Sequence, residues 1–317
     1  MILVSEDVWS ADFEALAQEF TVVREPDLWN KKEDLKVKIS TATALVVRNR
    51  TQVTRELIEA APQLKVIARA GVGLDNIDVK AADENGVVVA AALGINAVAV
   101  AEETLAMALA ISRKLVELDA STRAGEWNRK AGMEISGKTW GLLGFGATAR
   151  ATAELLQGFK CSVLAYDPFA QPDASYLQKI NATMTSLAEV VTKSDFISIH
   201  LPATAETKNI INADLLSTMK MNAVIISVGR GEVIIEADLE SALKSGVIAG
   251  AGLDVRAQEP PQDKRFTDLP NVVLAPHVAG ITVESQAVIN RILVSEIKAA
   301  LTGGPQRYAV GAVKQAK

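Results

Sequence analysis

Short, continuous apolar runs alternate along this chain with stretches whose apolar residues recur at helical spacing. MILV (1–4), TVV (21–23), ALVV (44–47), KVIA (65–68) and GVVVA (86–90) read as strands, rich in valine and isoleucine. Between them residues 12–19 and 54–61 carry the helical period, with Thr54 as the N-cap of the second and Pro62 after its end. The longest helical pattern covers 97–117, and 127–137 is mixed and loop-like. The alternation then restarts with TWGLLGF (139–145), a helix over about 147–157 and CSVLAYD (161–167). DFISIHL (195–201), AVIISV (223–228), VIAGAGLDV (247–255) and NVVLAP (271–276) continue it. A final helical stretch covers about 283–301, and the tail GGPQRYAVGAVKQAK reads as loosely held. Strands alternating with helices imply βαβ units and mainly parallel sheets. Two successive series of them imply an α/β protein of two doubly wound domains.

Length and composition agree with that picture. The 317 residues are about two domains at roughly 150 residues each. An apolar content of 49% and a charged content of 22% exclude wholesale disorder. With 33 basic and 38 acidic side chains the net charge is −5, so no global basic field invites a nucleic acid or an anionic membrane. The single cysteine, Cys161, excludes an internal disulfide framework and a multi-cysteine zinc site, and it suits a reducing cytoplasm. Two histidines, His200 and His277, leave little room for a His-rich metal site. The N-terminus MILVSEDVW has no basic start and is not read as a secretory signal. The most apolar stretch, AVAVAEETLAMALAI (97–111), carries Glu102 and Glu103 and is too short to span a bilayer, so it reads as a core helix.

The first chemical signal is a glycine pattern. Gly144, Gly146 and Ala149 stand in G-x-G-x-x-A spacing where a strand turns into a helix. Gly144 permits the tight turn, Gly146 lets the backbone approach a pyrophosphate, and Ala149 lets the helix pack closely on the strand. The phosphates would sit on free N–H groups at the helix N-terminus. Alone the pattern also fits an ordinary glycine-rich turn. Asp167 favours the dinucleotide: it ends the next strand at the roughly 20-residue spacing of a ribose-binding acid. A carboxylate there accepts from both ribose hydroxyls and repels a 2′-phosphate, which predicts NAD over NADP. Asp167 also reads as a turn residue before Pro168.

The second signal is three reactive side chains, each in a loop after a strand: Arg230 in SVGRGEVI, Glu259 in LDVRAQEPP and His277 in APHVAGIT. Residues beyond the carboxyl ends of parallel strands converge on the ligand crevice. Arginine pairs bidentately with a carboxylate, histidine exchanges protons near neutral pH, and a glutamate beside an imidazole favours its charged form and fixes its orientation. Singly, these residues also read as a solvated turn arginine, an exposed loop acid and a structural histidine. Together, after a dinucleotide fingerprint, they read as a reaction centre.

These segments, with ARAGVGLDNIDV (68–79), NAVAVAEETLAMALA (96–110) and DFISIHLPATAET (195–207), make the chain resemble the D-isomer-specific 2-hydroxyacid dehydrogenases, and among them the phosphoglycerate dehydrogenase branch. The resemblance runs from about residue 44 to about residue 300. It implies Arg230 as the arginine on the substrate carboxylate, Glu259 as its acid and His277 as the proton-transferring histidine. It implies cofactor contacts at Ala147, Thr148, Leu201, Val228, Gly229, Asp254 and His277 to Gly280. It also implies a substrate loop at Arg69, Ala70, Gly71, Val72 and Gly73. His200 takes a structural role. The implied architecture is a flavodoxin-like substrate domain, 1–97 with 284–317, and a Rossmann NAD-binding domain, 98–283, with the active site in a cleft dried by hinge closure. A cytoplasmic homodimer acting on a small molecule is expected, as a short form without the regulatory domains that extend some relatives.

Two departures stand out. The family often has Arg-Ile where this chain has Ala147-Thr148, and an aromatic residue where Arg256 stands; that side chain must reach solvent or meet an anion. Arg48 and Arg69 match phosphate-binding arginines, and two guanidinium groups would favour a phosphate, sulfonate or second carboxylate. They also read as surface arginines at strand ends. The substrates left open are 3-phosphoglycerate, a sulfolactate-like acid and glycerate/hydroxypyruvate or glyoxylate. Another class of function is an NAD(H)-sensing corepressor-like binding protein without turnover. Formate dehydrogenases, also related, have Gln where Glu259 stands.

Overall fold

The structure is a computed structural model that describes residues 1–315. The chain forms two compact units, Met1–Asn96 with the residues from Ile281 on, and Ala97–Gly280. Strands β1 (Ile2–Val4), β2 (Val22–Arg24), β3 (Ala44–Val47), β4 (Val66–Arg69) and β5 (Val88–Ala91) belong to the first unit. The second holds β6 (Thr139–Leu143), β7 (Ser162–Tyr166), β8 (Ala182–Met184), β9 (Phe196–Ile199), β10 (Val224–Ser227), β11 (Gly250–Leu253) and β12 (Val272–Leu274). A last strand, β13 (Ala309–Val310), returns to the first sheet.

The first sheet runs β2-β1-β3-β4-β5 in parallel, with β13 antiparallel on the edge of β5. This is the flavodoxin-like doubly wound order, reversing between β1 and β3. The second runs β8-β7-β6-β9-β10-β11-β12, all parallel, which is the Rossmann order with one strand added. Its direction reverses between β6 and β9. Successive residues of a strand serve opposite faces, and here both faces are apolar. Ile2 and Val4 enter one core and Leu3 the other. Phe196 faces one core of the second unit while Ile197 and Ile199 face the other. Such strands must be covered on both sides, so the helices flank each sheet.

Two expectations are corrected. The pattern over 97–117 forms two helices, Ala97–Ser112 and Leu115–Arg123, separated at Lys114 with φ 53°. The Ser112 carbonyl, which the next turn would use, accepts the N–H of Met133 at 2.7 Å instead. The longest helix is Val283–Thr302, started by a reciprocal Thr282–Ser285 capping box. It packs on β4 and β5 through Ile289, Leu293 and Ile297.

The tail is the second correction. The buried Glu296 carboxylate accepts the N–H groups of Arg307 and Tyr308 at 3.1 and 3.2 Å. Asp83 accepts those of Ala312 and Val313 at 2.8 and 3.0 Å, and these bonds hold its carboxyl below the ordinary range. The anchoring acids lie in other elements, so the tail's own composition does not reveal them. Residues 316–317 of that tail lie outside the described residues. The short helices Lys32–Ile39, Val79–Glu84, Leu187–Lys193 and Glu236–Lys244 were not anticipated, because each buries only two or three side chains beneath a charged exterior. Among the described residues no helix is long and apolar enough to cross a membrane.

Leu293 is fully buried on the face that the C-terminal helix turns to the first sheet. Leu293→Ala is expected to lower unfolding free energy by about 2–5 kcal/mol, read from urea denaturation. A loss below about 1 kcal/mol would mean that the helix is not part of that unit's core.

Candidate active site

The glycine pattern forms the turn from β6 into the helix Ala147–Leu156. Gly144 adopts φ +91°, a left-handed conformation, and a Cβ there would come within 3.2 Å of the His200 main chain. Gly146 is the N-cap and has no side-chain cap; nothing lies within 4 Å of where its Cβ would be. Ala149 is buried against the sheet. The helix therefore opens on empty space with uncapped N–H groups, which fits a dinucleotide phosphate. Asp167 follows β7. Its Oδ2 accepts the Phe145 N–H at 2.8 Å, and its Oδ1 accepts those of Phe169 and Ala170 at 2.9 and 3.2 Å. The carboxylate expected at the ribose also fixes the glycine loop, a part the sequence reading did not give it.

Thr148 has a structural partner. Its hydroxyl lies 3.1 Å from His200 Nδ1, and His200 Nε2 lies 3.0 Å from Ser198 Oγ, which also accepts the Trp140 indole N–H at 2.9 Å. The residue in the family's Ile position thus ties the helix N-terminus to β9. Burial pushes the His200 imidazole down to about 3, so it is neutral throughout the physiological range. Leu201 and Val228 are buried at the ends of β9 and β10, and Gly229 passes so close to the Leu201 carbonyl that a Cβ would lie 2.6 Å from it.

Three loops of the same sheet bring Arg230, Glu259 and His277 into one neighbourhood. His277 Nδ1 lies 2.6 Å from Glu259 Oε2, so the imidazole donates from Nδ1 and keeps Nε2 for another partner. Both side chains are half-exposed, as a site that meets a ligand requires. Burial alone would push the Glu259 carboxyl up. The hydrogen bonds from His277 and the Arg256 N–H, with the charges of His277 and Arg230, outweigh it and hold the group below the ordinary carboxylate range. Arg230 Nη1 donates to its neighbour's carbonyl, Gly229 O, at 2.8 Å. Asp254, expected among the cofactor contacts, is buried with its oxygens on the N–H groups of Val278 and Ala279 at 2.7 and 3.0 Å. It thereby shapes the turn from His277 to Gly280. Arg256 meets an anion: Glu236 takes its guanidinium through two bonds of 2.9 Å.

In the first unit Arg48 and Arg69 stand at the carboxyl ends of adjacent strands, with Val47 paired to Arg69 in register. They differ in what they hold. Arg69 is 8% exposed and donates from Nε to Gly73 O and from Nη1 to Ala70 O, both at 2.8 Å. It clasps the loop Ala70–Gly71–Val72–Gly73 from inside, lying where a Cβ of Gly71 would be. Among the described residues the Arg48 guanidinium makes no hydrogen bond or ion pair. Its backbone is held by buried Glu6, whose carboxylate accepts the N–H groups of Arg48, Asn49, Arg50 and Thr51 at 2.8–3.2 Å.

Comparison with known proteins decides the family. The sequence profile of the D-isomer specific 2-hydroxyacid dehydrogenase NAD binding domain matches residues 105–279, more than half of the chain. The chain belongs to the D-isomer-specific 2-hydroxyacid dehydrogenase family. It is 40% identical over 274 residues to the D-3-phosphoglycerate dehydrogenase of Methanocaldococcus jannaschii, covering 86% of this chain and 52% of that protein. It is 38% identical over 315 residues to the chloroplastic D-3-phosphoglycerate dehydrogenase 2 of Arabidopsis thaliana, covering 98% and 50%. The chain thus spans about half the length of these curated relatives. Among solved structures, a Thermus thermophilus protein superposes with a TM-score of 0.90 at 29% identity, over 98% of this chain and 99% of that one. An NADPH-dependent glyoxylate/hydroxypyruvate reductase of Sinorhizobium meliloti gives 0.87 at 28%, over 100% and 98%.

Two residues of this family member escaped the sequence reading, Glu6 and Glu236, as did the second part that Asp167 plays. Each is an acid just past a strand or in the first turn of a helix, and that position was the available signal. His200 makes a testable statement about pH. Its folded-state value lies below the unfolded value of 6.5, so the unfolded chain binds the extra proton first. The stability it contributes is present above pH 6.5 and is lost as pH falls towards 3. His200→Gln is expected to flatten unfolding free energy against pH in that window by up to about 1.4 kcal/mol per pH unit. Parallel curves for the two proteins would contradict a neutral His200 imidazole.

Proposed function

We propose that this protein is an NAD-dependent oxidoreductase that interconverts a D-2-hydroxy acid and its 2-keto acid, with a dianionic, 3-phosphoglycerate-like substrate. The observation that carries the reading is the 2.6 Å Glu259–His277 pair beside Arg230, on the sheet whose first crossover is the uncapped glycine turn. Bound nicotinamide dinucleotide would supply the hydride acceptor or donor. Arg230 orients the substrate carboxylate and polarises the carbonyl. His277 Nε2 takes the hydroxyl proton during oxidation and returns it during reduction. Glu259, held ionised, stabilises the imidazolium and orients the ring through Nδ1. Asp167 favours NAD, since its carboxylate repels a 2′-phosphate. In this reading residues 1–97 and 284–317 serve the substrate and 98–283 the cofactor. A homodimer accompanies it, supported by exposed Val98, Leu109, Leu115 and Val116 on the helices Ala97–Ser112 and Leu115–Arg123, and the cytoplasm is its proposed location.

The two strand-end arginines divide the work on the substrate. Arg48, whose guanidinium has no partner among the described residues, takes the distal anion. Arg69 shapes the loop whose N–H groups meet the carboxylate. Arg48→Ala should therefore raise KM for a dianionic acid far more than for glyoxylate, whereas Arg69→Ala should raise both. Equal effects of Arg48→Ala on the two substrates would defeat the anion assignment.

The activity itself is tested by nicotinamide absorbance with NADH and NADPH against phosphohydroxypyruvate, sulfopyruvate, hydroxypyruvate and glyoxylate. His277→Ala is expected to abolish turnover with NADH binding retained; near-normal kcat would remove the histidine from its role. NADH binding with no turnover of any acid would instead favour the cofactor-sensing binding protein.

A further inference from the structure

We infer that the buried Arg256–Glu236 ion pair is the positioning device that sets the Glu259–His277 pair, a part that the dehydrogenase family's aromatic residue cannot play. The inference rests on the proposed dehydrogenase reading for its kinetic consequence and on the geometry for the rest.

Arg256 touches the Glu259 loop, the loop after Arg230 and a neighbouring helix, each through a different part of itself. Its N–H donates to Glu259 Oε1 at 3.0 Å, leaving Oε2 for His277 Nδ1. Its peptide abuts Gly231, the residue after Arg230: a Cβ there would lie 2.0 Å from the Arg256 carbonyl carbon, so only glycine admits this packing. Its guanidinium is anchored to Glu236, with Nε on Oε1 and Nη2 on Oε2, both at 2.9 Å. Glu236 Oε1 also accepts the Ala257 N–H at 2.9 Å, and the guanidinium lies 4.9 Å from the centre of the Phe266 ring. The side chains of Arg256 and Glu236 are only 8% and 12% exposed.

This anchorage is directional. Two parallel N–H···O bonds fix the rotation of a planar fork as well as its place. Glu236 starts the helix Glu236–Lys244, which packs on the second sheet's core through Leu239 and Leu243, so the anchor is not itself a loose loop. An acid in the first turn also suits the helix dipole. The position of the Arg256 peptide is therefore referred to the rigid sheet, and through its N–H so is the Glu259 carboxylate. A side chain that only filled space would leave the loop held to Glu236 by the single Ala257 N–H.

The test uses Arg256→Met, Glu236→Gln, the double variant, Arg256→Lys and Glu259→Gln as reference. Each is followed by kcat, by NADH affinity and by the imidazole nitrogen signals of isotope-labelled histidine. With two histidines in the chain, the His277 signal is readable without turnover. The expected result for Arg256→Met is a kcat lower by about tenfold or more with NADH affinity kept, and a His277 signal moved towards that of Glu259→Gln. The double variant removes both charges together and so avoids an unpaired buried ion; it should fold, remain slow and show the same displaced signal. Arg256→Lys keeps the charge without the fork and should stay slow. A folded double variant with wild-type kcat and an unmoved His277 signal overturns the inference, as does full rescue by lysine. If the wild-type protein turns over no acid, the dehydrogenase reading fails by itself, and the His277 signal alone decides the positioning.

Discussion

Asp254 stands at the end of β11, 1% exposed, with both oxygens on the N–H groups of Val278 and Ala279 and its own carbonyl on the N–H of His277. Burying a carboxylate costs several kcal/mol unless it is paired, and each charge-assisted hydrogen bond returns about 1.5–3 kcal/mol. The turn it holds is one the chain would not choose. His277 has φ 56°, a left-handed conformation that costs a side-chain-bearing residue about 1–2 kcal/mol. The conformation persists because the surroundings over-determine it. The backbone from which the imidazole projects is thus set by a buried acid that never touches the ring, and Glu259 then orients the ring through Nδ1.

The same device recurs wherever a loop must be exact. Glu6 gathers four successive N–H groups after β3, Asp167 gathers the glycine turn and its own following loop, and Glu259 takes the Arg256 N–H. Parallel sheets explain the repetition. Their strands end on one side in loops with unpaired donors, and a carboxylate accepts several of them at once. Such loops are set before any ligand arrives, which lowers the ordering cost of binding.

The two histidines show how environment divides one chemistry into two. His200 is half-buried between uncharged hydroxyls, its imidazole pushed down to about 3, and it becomes a bracket between Thr148 and Ser198. His277 is half-exposed and faces an ionised carboxylate, with one nitrogen committed and the other available. Arg256 extends that logic outward, since the acid facing His277 is itself aimed by a peptide that a second, buried ion pair holds in place.

Much of this was legible along the chain. Continuous apolar runs marked most of the strands, because a strand covered on both faces needs no polar side. The G-x-G-x-x-A turn, Asp167 and the three strand-end residues Arg230, Glu259 and His277 stood out because their chemistry depends on local spacing and on residue type. What the linear pattern could not express was which groups satisfy one another. Arg256 met an acid 20 residues away, Arg69 turned back onto the carbonyls of its own loop, and the tail was anchored by acids 11 and 229 residues away. A hydrogen bond is decided within about 3 Å, and only the tertiary structure brings such distant donors and acceptors within that reach.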